Sequence, residues 1–194
     1  MKRIGAVVLV IVFFLGFSQI VFAEEIKSDG ARGSYRVYSQ NLFQGKKEMR
    51  RGEFQQARIY FMRALESQRH TEALAFAATA SYKMNDVQAA ERYIAEAEKQ
   101  TGRGVSELRL AGYKALIYLN KRRDGEGMKA LQEYTNLYSH LDPLMNIREV
   151  EAMVITGRVD LGKLEALMDE QIAQYEEEIE QYLTTETGFY GRHD

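Results

Sequence analysis

The sequence predicts an all-α fold, built of antiparallel helix pairs stacked side by side. Three observations carry that expectation. The stretch Gly52–Ala64 recurs 33 residues later as Asn85–Ala97, and a fixed period of this size marks a repeated supersecondary unit. Apolar residues return at three- and four-residue steps along most of the chain, the spacing of one helix face. A single proline in 194 residues and 28% charged side chains suit helices with polar outer faces.

The opening residues stand apart from that pattern. Lys2 and Arg3 precede an apolar run from Ile4 to Gly16, and Val21-Phe22-Ala23 ends in a small residue before Glu24 and Glu25. This is the layout of a signal peptide over 1–23, cut after Ala23, and it implies export, to a bacterial periplasm. The competing reading is an uncleaved anchor facing the periplasm, since Ile4–Ala23 nears the length of a bilayer span. Residues 24–33, polar and with two glycines, read as a flexible leader.

The repeat domain is expected over 34–184. Ser34 is the expected N-cap of a first helix carrying Tyr35, Tyr38, Leu42, Gly45 and Met49, closed by Gly52. A second helix over Phe54–Ser67 pairs with it. Thr71 caps a third, with Leu74, Ala77, Ala78, Ser81 and Tyr82. Asn85-Asp86 turns the chain and caps a fourth with Val87, Ala90, Tyr93, Ile94 and Ala97. Small residues at 57, 64, 78, 90 and 97 allow close helix approach. Gly102-Arg103-Gly104 lengthens the next spacing. Ser106 caps a fifth helix with Leu108, Ala111, Ala115, Leu116 and Leu119. Lys121–Gly127 turns into a partner bearing Met128, Leu131, Tyr134, Leu137 and Tyr138. At an offset of 37, Ala78 pairs with Ala115, Ala90 with Gly127 and Ile94 with Leu131. Asp142-Pro143 starts a further helix that ends at Thr156-Gly157. The units are thus about 35–68, 71–101, 106–140 and 142–184. In the last helix Leu161, Leu164, Met168, Ile172, Tyr175, Ile179 and Tyr182 form a narrow stripe with an acidic back. It suits a capping helix, or alternatively a homodimer seam through 161–183. Residues 185–194 read as a loose tail.

The doubled unit resembles the tetratricopeptide repeat (TPR) family. Gly45, Gly52, Phe54, Ala57, Phe61 and Ala64 carry the likeness, followed by Ala78, Asn85, Val87, Ala90, Ile94 and Ala97. The Trp and Leu of the family's opening helix are missing, and the period is 33 rather than 34. The resemblance implies a short right-handed solenoid whose first helices line a concave groove. It places Leu42, Lys46, Met49 and Arg50 in that groove from the first unit. Ala75, Thr79, Tyr82 and Lys83 come from the second, and Gly112, Leu116, Leu119 and Asn120 from the third. Apolar anchors ringed by Lys46, Arg50 and Lys83 suit an extended peptide or partner helix bearing carboxylates. The family's carboxylate clamp is not reproduced, because Leu42 and Lys46 occupy its Lys and Asn positions.

Nothing in the sequence points to catalysis. There is no cysteine, hence neither disulfide nor thiolate chemistry. His70, His140 and His193 lie far apart without carboxylates at ligand spacing, so no metal or other cofactor is expected. Glu176-Glu177-Glu178 reads as solvated helix face, and Lys121-Arg122-Arg123 as charge balance at a helix end. A net charge of −2 argues against a general nucleic-acid binder. The expectation is a non-catalytic scaffold that binds a protein or peptide of the cell envelope.

Overall fold

The computed structural model describes residues 33–100, 106–138 and 147–190. The expected signal segment and leader up to residue 32 lie outside them. So do the Gly102–Gly104 turn, His140, the Asp142-Pro143 helix start and residues 191–194. Among the described residues the chain is all helical: α1 (33–50), α2 (Phe54–Ser67), α3 (Thr71–Lys83), α4 (Val87–Ala97), α5 (Glu107–Asn120), α6 (Asp124–Tyr138), α7 (Ile147–Thr156) and α8 (Leu161–Tyr190). None of the described helices is long and apolar enough to cross a membrane.

The same turn closes α1, α3 and α5, and a positive φ recurs after α7. Gly52, Asn85, Arg122 and Gly157 all have positive φ, between 60° and 77°. At the first three, two backbone hydrogen bonds fold the chain back. Gly52 N–H donates to Met49 O and Glu53 N–H to Glu48 O. Asn85 donates to Tyr82 and Asp86 to Ser81, and Arg122 donates to Leu119 and Arg123 to Tyr118. This pairing of bonds satisfies carbonyls that a helix end would otherwise leave open. Asp86 then caps α4 by accepting from Ala89 N–H at 3.1 Å.

Packing follows the repeat. Phe61, Ile94 and Leu131 stand at equivalent points of the second helices, and all are buried. Complete burial of one such side chain contributes about 1.5–3 kcal/mol. The small partners sit where sequence periodicity puts them. A Cβ on Gly45 would fall 2.3 Å from the Phe61 ring, and one on Gly127 would fall 2.6 Å from Leu119 Cγ. Tyr38, Leu42, Ala57, Phe61, Ala64 and Phe76 form one apolar cluster over α1 to α3. A larger one joins α3 to α8 and includes Ile94, Tyr113, Leu116, Leu131, Tyr134, Val150, Leu164, Met168 and Ile172. α3 serves both clusters, which explains its run of alanines: every residue from Ala73 to Tyr82 is buried.

Several element ends differ from expectation. Residue 33 is already helical, so Ser34 is not an N-cap; its hydroxyl instead donates to Ser67 O at 2.7 Å and ties α1 to the end of α2. His70 rather than Thr71 caps α3. Its Nδ1 accepts from Glu72 N–H at 3.3 Å, while Thr71 Oγ1 donates to Gln100. His70 therefore sits at a helix start. Ser106 holds the cap position of α5 without a side-chain cap bond. α6 begins at Asp124, because Gly125 and Gly127 are helical and not part of the turn. α8 runs to Tyr190, beyond the expected end at 184, since no proline interrupts it.

Candidate partner-binding cleft

α8 decides the shape of the inner face. It packs on α5, and its Ile172 reaches the bare backbone at Gly112: a Cβ there would meet Ile172 Cδ1 at 3.3 Å. Glycine at 112 is thus where two helices approach, not an open groove position. What remains of the inner face is a cleft of about 550 Å³. It is lined by Lys46, Met49 and Arg50 of α1, Phe54 of α2, Phe76, Thr79 and Lys83 of α3, and Arg109 and Tyr113 of α5. Asp169, Ala173, Glu176 and Glu177 of α8 form the facing wall.

The floor is a stack of charge and ring. The Arg109 guanidinium lies 4.2 Å from the Phe76 ring centre, and Lys46 Nζ lies 5.0 Å from it. Phe76 itself stacks on Phe61 at 5.3 Å. Arg109 is buried, 8% exposed, and a buried cation must be compensated. Glu176 does this with both oxygens, accepting from Nε and Nη2 at 2.8 Å each. Arg109 Nη1 also donates to Thr79 Oγ1 at 3.3 Å. Burial disfavours the Arg109 cation, but Glu176 outweighs it and holds the guanidinium above its ordinary pKa.

A second polar knot lies beside it. Lys83 donates to Glu165 and Asp169, and Tyr113 donates its hydroxyl to Asp169. Burial works against the Lys83 ammonium, yet hydrogen bonds to Asp169 and Glu165 leave its pKa raised. Burial, followed by the Asp169 charge, pushes Tyr113 well above the ordinary phenol value. Tyr82, which meets Tyr113 edge-on at 5.6 Å, is pushed up to about 12 by burial and then by Glu165.

Of the twelve residues expected in the groove, Lys46, Met49, Arg50, Thr79 and Lys83 converge on the cleft, while Ala75 and Leu119 are buried. Leu42, Tyr82 and Leu116 are buried in the two apolar clusters instead. Asn120 is exposed at the end of α5, near Tyr82. The cations are also less open than expected. Lys46 pairs with Glu72 at 2.7 Å, and Lys83 is held by α8. Arg50 is exposed and has no ion-pair partner among the described residues.

Sequence reasoning missed Phe54, Phe76, Arg109, Tyr113 and the whole α8 wall. One signal for Arg109 was present: three-, four- and seven-residue steps from it reach Gly112, Tyr113 and Leu116, an otherwise apolar face. The acidic run divides, with Glu177 and Glu178 exposed as expected and Glu176 turned inward. Lys121 and Arg123 also do more than balance a helix end, since both pair with Glu91 of α4 and so bridge two helix pairs.

Among the described residues no group of His, Cys, Asp and Glu is arranged to hold a metal ion. Comparison with protein-family models, curated proteins and solved structures returns no match.

Proposed function

We propose that this chain is a non-catalytic, TPR-like interaction module of the bacterial cell envelope. In this reading it is exported by its first 23 residues and forms a short solenoid whose last helix caps the stack. It binds a peptide segment of an envelope protein in the cleft between α1 and α8. The observation that carries the reading is the convergence of five expected groove residues on one cleft built from five helices. The wall made by α1 and the start of α2 offers an apolar surface, Met49 and Phe54, beside the exposed cation Arg50. That combination suits a segment that alternates apolar and acidic side chains. The recurring turns at Gly52, Asn85 and Arg122 support the repeat. Self-association through 161–183 has less support, because Leu164, Met168 and Ile172 already lie in this chain's own core.

Photo-cross-linking tests the reading. A photoreactive amino acid replaces Phe54 in the full chain, expressed in its native cells. A matched variant carries it at Ile155, which is 84% exposed and lies away from the cleft. The expected result is a discrete adduct from position 54, absent from 155 and lost with Arg50→Glu. Equal labelling from both positions, or none from 54, would remove the cleft as the working surface.

A further inference from the structure

α8 changes character along its length. Leu164, Leu167, Met168, Gln171 and Ile172 are buried, and the Gln171 amide oxygen accepts from Tyr134 OH at 2.8 Å. That part belongs to the core. From Ala173 onward no described side chain of α8 is buried, although the helix continues to Tyr190. Among the described residues past Ile172, half-buried Tyr175 packs against the larger cluster and Glu176 holds Arg109, and these tie the helix to the body.

We propose that the α8 wall of the cleft is movable, and that a carboxylate of an incoming acidic peptide releases it by replacing Glu176 on Arg109. The proposal rests on the cleft being a peptide site and adds how that site is gated. Arg109 stays in place when Glu176 leaves, because the Phe76 ring and the Thr79 hydroxyl hold its other edges. A buried guanidinium left alone is strongly unfavourable, so Glu176 departs only when another anion arrives. This makes the exchange selective for a carboxylate and closed to a neutral peptide. Planar two-point pairing is what a guanidinium offers either carboxylate. Release of the wall is fraying of the helix past Ile172, where no described side chain is buried and helical turns are accordingly marginal. Glu177 lines the same wall and repels an incoming acid, so its departure favours the bound state.

The test uses the full chain without residues 1–23, as wild type, Glu176→Gln and Glu178→Gln. Glu178 is exposed and does not line the cleft. The probe is a fluorescent, end-capped hexapeptide alternating Glu and Leu, with a Gln/Leu peptide as its control. Binding is read by anisotropy, and hydrogen exchange is followed separately over 161–172 and 177–190. Glu176→Gln is expected to bind the Glu peptide about tenfold or more tighter than wild type, since the competing internal carboxylate is gone. Glu178→Gln is expected to match wild type. Saturating wild type with the Glu peptide raises exchange over 177–190 and leaves 161–172 protected, and the Gln/Leu peptide does neither. Where Glu176→Gln lowers Tm, Glu176→Asp serves instead, keeping the charge but drawing it back from Arg109. The latch is overturned if the Glu176 variants bind no tighter than Glu178→Gln, or if the peptide leaves exchange over 177–190 unchanged. Arg50→Glu separates the two readings. If it binds as wild type does while the Glu176 effect persists, the latch stands and the α1 wall falls.

Discussion

Gly45 and Phe61 meet at the tightest point of the first helix pair, with 2.3 Å between a would-be Cβ and the ring. In an open helix Gly→Ala stabilises by roughly 0.5–1 kcal/mol. Here overpacking opposes it at about 1–3 kcal/mol, so the clash wins. Gly45→Ala is expected to lower stability, read as a smaller midpoint in urea; an unchanged midpoint would mean that Phe61 moves aside freely. Titration behaviour also belongs at this scale. Tyr38, Tyr82 and Tyr113 all have raised pKa values, caused first by burial. The unfolded chain therefore loses these protons near pH 10 while the folded chain keeps them. Lys83, also raised, adds in the same direction: its stabilisation is present below the ordinary lysine pKa and is lost as pH rises through the folded value. Stability is thus expected to fall between about pH 10 and 12, with Tyr82 ionising near 12. Urea unfolding followed against pH, beside phenolate absorbance, checks this. A flat profile across that window would contradict the buried tyrosines. Arg109 shows why such residues are hard to read in a sequence. Its burial depends on a carboxylate 67 residues away.

The turns are the most repetitive elements, yet they are filled differently. Glycine takes the left-handed position at 52 and 157, asparagine at 85 and arginine at 122. Arginine there carries a Cβ penalty that glycine does not. Arg122→Gly is expected to stabilise the protein by about 0.5–1 kcal/mol, net of the entropy glycine adds to the unfolded chain. Thermal unfolding of that variant beside wild type measures it, and a lower Tm would show that the Arg122 side chain matters more than its backbone. Helix identity was legible throughout because the apolar steps are local. Helix ends were less so. Thr71 is the better capping residue by type, but the chain enters α3 one residue earlier and His70 takes the role. Glycines 125 and 127 read as a turn, whereas Gly127 serves α5–α6 packing against Leu119.

Across the whole molecule, the two apolar clusters share α3 but differ in size. The smaller one lies at the α1 end, where Tyr35, Val37, Phe43 and Met62 are exposed. Local stability follows the apolar surface that each helix buries. Amides of α1 and α2 are therefore expected to exchange faster than those of α5 and α6 under native conditions. Equal protection across both regions would mean that α3 couples the clusters into one cooperative unit.

The sequence by itself determined the helices, the pairing of α1 with α2, α3 with α4 and α5 with α6, and the close-packed small residues, because each of these rests on spacing within one turn or one repeat. Its resemblance to the TPR family also marked twelve groove residues, of which Lys46, Met49, Arg50, Thr79 and Lys83 line the cleft. Only the tertiary structure decided how open that face is. α8 crosses to α5, buries its stripe from Leu164 to Ile172, and sets Glu165, Asp169 and Glu176 against Lys83 and Arg109. No local pattern encodes that choice. An acidic face on a helix reads as solvated until a buried cation from a distant element is brought against it, and the energetics of that pairing depend on burial, which exists only in the folded chain.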